Sequence, residues 1–146
     1  MTTASEPEFY EQLEERRPGL APVLRPFLVS LEELGVTPEF RKSVNLRWRP
    51  SADMMGALGY IDVEGRTWLS GACGTANRIG KTEAGEQYLQ ELAEIVGEKV
   101  RHYENAWPDV VDAKGRAADA SILLAAGERW KEAMTRFITA LRKDIT

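Results

Sequence analysis

Between Ser43 and Ser70 the apolar residues stop recurring at helical spacing and begin to alternate, in short runs separated by very short connectors. In "SVNLRWR", Val44, Leu46 and Trp48 alternate with Asn45, Arg47 and Arg49, which describes a strand with one apolar face and one polar, basic face. "ALGYIDV" (57–63) reads as a second strand and "RTWLS" (66–70) as a third. Pro50-Ser51-Ala52-Asp53 supplies the first turn and Glu64-Gly65 a two-residue hairpin loop. Parallel pairing needs a crossover of about a dozen residues or more, and no connector here is long enough. The spacing therefore predicts a three-stranded antiparallel meander over about 43–70, one face of which must be buried under other elements.

Helices are predicted on both sides. Ser5 and Glu8 form a capping box with Pro7 in the first turn, so a helix is expected over about Glu6 to Arg16, broken at Pro18-Gly19. Leu20, Val23, Leu24, Phe27, Leu28, Leu31 and Leu34 recur at helical spacing, with Pro26 expected to kink or restart the helix. Gly35 ends it, and Thr37-Pro38-Glu39 is expected to start one more helical turn. Further on, Thr82 caps a helix over 83–96 whose stripe is Tyr88, Leu89, Leu92, Ile95 and Val96, stopped by Gly97. "EKVRHY" (98–103) reads as a fourth strand, Trp107-Pro108 opens a loop, and Asp119 caps a short helix. After Gly127, the residues Trp130, Met134, Phe137, Ile138 and Leu141 fall on one helical face. The expectation is one α+β domain spanning 1–146, a small antiparallel sheet packed by N-terminal and C-terminal helices.

Composition fits that class: 43% of residues are hydrophobic and 29% charged, as in globular domains and unlike disordered chains. The single cysteine, Cys73, permits no intrachain disulfide, which suits a reducing compartment. The opening "MTTASEPEFYEQLEERR" is acidic where a signal peptide is basic and then apolar, and no apolar run approaches the ~20 residues of a spanning helix. The expected location is the cytoplasm, with no membrane partner. Thirteen arginines against six lysines match a GC-rich bacterial coding bias.

Charge is unevenly spread. The net charge is −4, yet residues 41–81 hold seven bases (Arg41, Lys42, Arg47, Arg49, Arg66, Arg78, Lys81) against three acids. The middle of the chain is a basic island between acidic flanks, a pattern that marks either an anion-binding surface or a surface complementary to the chain's own acidic helices.

Four motifs suggest chemistry. "GTANRIGKTEAG" (74–85) resembles a phosphate-binding loop in composition only. Five residues separate Gly74 from Gly80 where the phosphate loop has four, and the preceding strand belongs to a meander rather than to a parallel sheet. It reads instead as a strand-to-helix loop, with Arg78, Lys81 and the amides near Thr82 as a candidate anion site. "PDVVDAKG" carries Asp109, Asp112 and Lys114, the residue types of a metal-dependent nuclease, but three apart on what reads as an exposed turn. Cys73 and His102 are the only thiol and imidazole, with no third residue implied, and read as a buried cysteine and a solvated histidine. One histidine and one cysteine exclude the usual zinc ligand sets, so no metal or cofactor is expected.

The basic strand face carries the functional expectation. Arg47, Arg49, Arg66, Arg78, Lys81 and Thr82 are the candidate anion or nucleic-acid contacts. Trp48 points away from Arg47 and Arg49 and reads as core, while Tyr60 and Trp68 fit either face. The expected function is a non-enzymatic binding or accessory module that meets nucleic acid, a protein or another anionic partner through this face and the 71–82 loop. Two alternatives stand beside it: a small enzyme acting on a phosphorylated or carboxylated metabolite, and a structural or homo-oligomeric interaction protein using the C-terminal helix.

Overall fold

The structure is a computed structural model that describes residues 5–51 and 54–142. Its elements, in chain order, are α1 (Ser5–Arg16), α2 (Ala21–Ser30) with a 3-10 turn (Leu31–Leu34), β1 (Val36–Phe40), β2 (Val44–Ser51), β3 (Met54–Ile61) and β4 (Arg66–Trp68). Then follow α3 (Ser70–Ile79), α4 (Thr82–Val96), β5 (Lys99–Arg101), β6 (Asp109–Val111), β7 (Ala118–Asp119), α5 (Ala120–Ala125) and α6 (Gly127–Arg142). The fold is mixed α+β. A five-stranded antiparallel sheet has the order β1-β2-β3-β4-β7, and β5 and β6 form a separate two-stranded sheet.

The antiparallel meander stands as expected, with longer second and shorter third strands. Ser51 pairs with Met54, while Ala52 and Asp53, the tip of the predicted turn, lie outside the described residues. The hairpin after β3 uses four residues rather than two. Asp62 Oδ1 accepts the Glu64 and Arg66 amides, at 3.0 and 2.9 Å, and Gly65 takes the positive φ (80°) that closes such a turn.

Four expectations need correction. Thr37-Pro38-Glu39 does not start a helical turn: it is the centre of β1, paired with Arg47, Leu46 and Asn45. Pairing to a strong strand overrides a local helix-start signal, and proline is tolerated because β1 is an edge. The 71–82 segment is not a loop. Residues 70–79 form α3, and Gly80 (φ 83°) and Lys81 make the corner into α4. Residues 98–103 do hold a strand, β5, but it pairs with β6 in its own hairpin instead of extending the meander. "PDVV" is not an exposed turn: Pro108, Asp109, Val110 and Val111 are buried. Pro26 sits inside α2 without ending it. Pro22, whose carbonyl its missing N–H leaves free, is exposed, so water can serve that oxygen.

One contiguous core lies on the inner face of the sheet. Val36, Val44, Leu46, Trp48, Leu58 and Ile61 meet Leu24, Leu28 and Leu31 from the α2 region, Tyr88 and Leu92 from α4, and Trp130, Met134 and Leu141 from α6. Phe27 stacks on Trp130 at 4.9 Å, and the Trp130 indole N–H donates to the Tyr88 hydroxyl at 3.0 Å. The apolar stripe of α6 is therefore consumed inside the chain. The exposed apolar side chains include Val23 and Val29 on α2 and Ile122 on α5.

On the β3 side, β4 reaches only Tyr60 and Ile61, which leaves the first half of β3 without a strand on that side. Helix α3 closes this edge. The Thr75 hydroxyl donates to the Ala57 carbonyl (2.8 Å) and accepts the Ala57 amide (3.0 Å), and Arg78 Nη2 donates to the Met55 carbonyl at 3.1 Å. A helix thus satisfies backbone groups that would otherwise template edge pairing.

Candidate functional site

The outer face of the sheet can be read from its register. Glu39 lies opposite Asn45, Asn45 opposite Tyr60, and Tyr60 opposite Trp68, so these four form one row across four strands. Thr37, Arg47 and Ala57 form the next row. Opposed residues share a face, and the intervening residues (Val44, Leu46, Leu58, Ile61, Thr67) are buried.

Plain alternation along β3 would turn Tyr60 inward if Ala57 faces outward. A β-bulge changes that. Between Arg47↔Ala57 and Asn45↔Tyr60, β3 has one residue more than β2. Gly59 (φ 129°) takes up the extra residue, in a conformation closed to residues with a side chain. A Cβ there would also stand 2.5 Å from the Trp68 carbonyl oxygen. The bulge turns Tyr60 outward beside Trp68, and the two rings stack with centroids 6.1 Å apart and planes at 18°. Both are 38% exposed. The Trp68 indole N–H donates to Asp62 Oδ2 at 2.9 Å, which fixes the ring to the β3–β4 turn.

The six predicted contacts separate into two groups. Arg47 and Arg49 line one shallow basin of about 440 Å³ with Thr37, Glu39 and Met55, and Arg78 reaches the same end of the sheet through the Met55 carbonyl. Arg47 Nε donates to Glu39 Oε1 at 2.8 Å, and Arg41 Nη2 lies 3.5 Å from Glu39 Oε2. One carboxylate is shared by two guanidiniums. The Arg47 hydrogen bond holds the Glu39 carboxyl below its usual range, which favours its ionised form. Asn45, beside Arg47 on β2, has no hydrogen bond from its side-chain amide among the described residues.

Arg66, Lys81 and Thr82 do not join that group. Arg66 shares the outer face with Trp68 but is spent on the Ala117 carbonyl (2.8 Å) and Asp112 (3.6 Å). Lys81 lines a cavity with Thr135 and Arg136 of α6, whereas Arg78 turns to β3, so the two do not converge at the α4 start. The Thr82 hydroxyl bonds Asn77 Oδ1 (3.2 Å) rather than capping α4, and Glu83 puts a carboxylate in that first turn.

The start of α3 is also occupied. Asp109 Oδ1 accepts the Leu69 amide (2.9 Å) and the Val110 amide (2.8 Å), so a strand residue caps a helix 40 positions away in sequence. Burial pushes the Asp109 carboxyl up, against those amide bonds. In the sequence Asp109 has the local signature of a turn, and the apolar pair Val110-Val111 after it is the signal for a buried strand. Asp112 closes its own turn by accepting the Lys114 and Arg116 amides, which holds its carboxyl down. The two aspartates therefore serve different backbones. Cys73 is fully buried, with its thiol pushed up to about 12 by desolvation, and His102 is exposed against Glu86 at 3.3 Å. Among the described residues, no group of three or more His, Cys, Asp or Glu is arranged to hold a metal ion, and no helix is long and apolar enough to cross a membrane.

What the site and fold define is a class: an antiparallel sheet covered by helices on one face, with an aromatic and arginine-bearing surface on the other. No family model matches the chain, and neither the curated proteins nor the solved structures contain a match to it.

Proposed function

We propose that the chain is a non-enzymatic binding module whose working surface is the outer face of the sheet, and that its partner presents anionic groups. The observation that carries this reading is the exposed Tyr60–Trp68 stack, held in one cross-strand row with Asn45 and next to Arg47. Exposed aromatic pairs beside arginines are the composition of contact surfaces rather than of solvated faces. The basin lined by Arg47 and Arg49 gives the anion its place, in a chain whose net charge is otherwise negative.

The test measures binding of the full chain to a labelled oligonucleotide and, in parallel, to a labelled polyglutamate peptide at low salt. Arg47→Glu is expected to weaken whichever complex forms by about tenfold, the value of one charge-assisted contact. Lys114→Glu, on the exposed turn after β6, should leave it unchanged. Equal losses in the two variants, or no binding of either probe, would remove the reading.

A further inference from the structure

We infer that the occupant of the outer face is a short single-stranded stretch of nucleic acid, bound by base stacking on Tyr60 and Trp68 with its phosphates toward Arg47. This rests on the proposed binding role of the face and names the partner's chemistry. Stacked, part-exposed rings offer π-surface to any flat partner, and unpaired bases have free π-faces whereas bases inside a duplex do not. Asn45 stands between Tyr60 and Glu39 in the same row, and its amide makes no hydrogen bond among the described residues. An amide carries two donors and an acceptor, which matches the mixed donor and acceptor edge of a base. The Arg47 guanidinium has its Nε engaged by Glu39, which orients the plane while its terminal nitrogens remain to meet a phosphate.

The same arrangement argues against the other anionic partners. A duplex would meet this face with its phosphates alone and leave the rings unused. An acidic peptide would use the arginines but has no flat face to lay against two stacked rings. Glu39 ends the row on β1 and Asp62 stands against Trp68 at its other end, so Asn45 and the two rings bound the contact. The footprint is accordingly short, about two or three bases, the number that paired aromatics on a sheet accommodate.

Fluorescence anisotropy with a labelled oligouridine, the matching duplex and a labelled polyglutamate peptide tests the assignment on the full chain. The single strand is expected to bind about tenfold or more tighter than the duplex, because stacking is lost in the latter. Trp68→Ala should cost about tenfold for the single strand and nothing for the duplex, and Trp68→Phe should restore most of it. Circular dichroism of each variant verifies that it is folded, and Tyr60→Ala gives an independent reading of the same platform. Equal affinity for single strand and duplex, or insensitivity to both ring substitutions, overturns the inference. If the peptide binds and Arg47→Glu abolishes that binding while the ring variants are silent, the face is a binding surface for acidic protein and only this inference falls. If none of the three probes binds, both readings fall together.

Discussion

The two faces of the five-stranded sheet are built from alternate residues of the same strands, yet they solve different problems. On β2, Leu46 and Trp48 are 0% and 1% exposed, whereas their neighbours Arg47 and Arg49 look outward. The inner face is closed by helices around a continuous core; the outer face keeps two stacked rings and an arginine-lined basin. The same residue type changes meaning between them. Trp48 is packing and Trp68 is surface, and only a one-residue bulge in β3 puts Tyr60 with the second rather than the first. Stability and contact are thus separable in this sheet, and substitutions can be chosen to remove one without the other.

The sharpest way to break the comparison is to truncate both tryptophans singly. Trp48→Ala empties a fully buried site and is expected to cost about 3–5 kcal/mol, read from the urea midpoint. The Trp48 indole N–H finds no acceptor among the described residues, which draws the value toward the lower end. Trp68→Ala should cost about 1 kcal/mol or less, since surface truncations seldom exceed it. Equal losses at the two positions would mean that the outer rings are structural.

Gly59→Ala attacks the device that separates the faces. It combines a φ of 129° with a Cβ placed 2.5 Å from the Trp68 carbonyl oxygen, and backbone cannot yield as a flexible side chain would. A loss of about 2–4 kcal/mol is expected from strain plus overpacking. The loss should come with a changed environment at Tyr60 and Trp68, visible in near-ultraviolet circular dichroism. A Gly59→Ala protein with native stability and unchanged spectrum would contradict the bulge.

The meander was legible in the sequence because Val44 to Arg49 alternate without interruption and their connectors forbid parallel pairing. Arg47 and Arg49 were legible for the same reason. β1 was not, because Thr37-Pro38-Glu39 is locally a helix start and becomes a strand only through β2, which follows it. Helix α3 was not, because Gly71 and Gly74 weaken the helical signal and its buried residues are the small Ala72, Cys73 and Ala76. Their purpose is long-range: a Cβ at Gly85 of α4 would lie 2.9 Å from the Cys73 Cα, so the two helices meet at backbone distance. The orientation of Tyr60 depended on the bulge, and alternation by itself gives the opposite face. Long-range register decided what local pattern could not.

Asp109 sharpens the contrast at the join between sheet and helix. Its carboxyl is buried and its folded pKa is raised, so the folded state holds a proton that the unfolded chain has released. Its contribution is therefore greatest below the ordinary aspartate range, about pH 4, and is lost as pH rises through the raised value. Asp109→Asn keeps an oxygen for the Leu69 and Val110 amides without the charge, and should fall within about 1 kcal/mol of the parent at neutral pH. Asp109→Ala leaves both amides unanswered and should cost about 1–3 kcal/mol. Denaturation midpoints across an acid-to-neutral series test this. The asparagine variant should gain on the parent as pH rises, and a fall as large as that of alanine at neutral pH would show that the ionised cap is required.

The smallest effect is expected where charge alone is at stake. Arg47 and Glu39 form a well-aligned pair at 2.8 Å, but the two side chains are 34% and 37% exposed. Water screens such a pair, so Arg47→Ala should move stability by about 0–1 kcal/mol, and added salt should reduce even that difference. Arg47→Glu would place a second carboxylate beside Glu39 and should cost slightly more, again recovered by salt. These values come from denaturation at low and high ionic strength. A loss of Trp48→Ala size would mean that Arg47 holds the sheet together and that its outward position has no separate purpose. A near-silent substitution is what a side chain placed for contact, rather than for folding, must give.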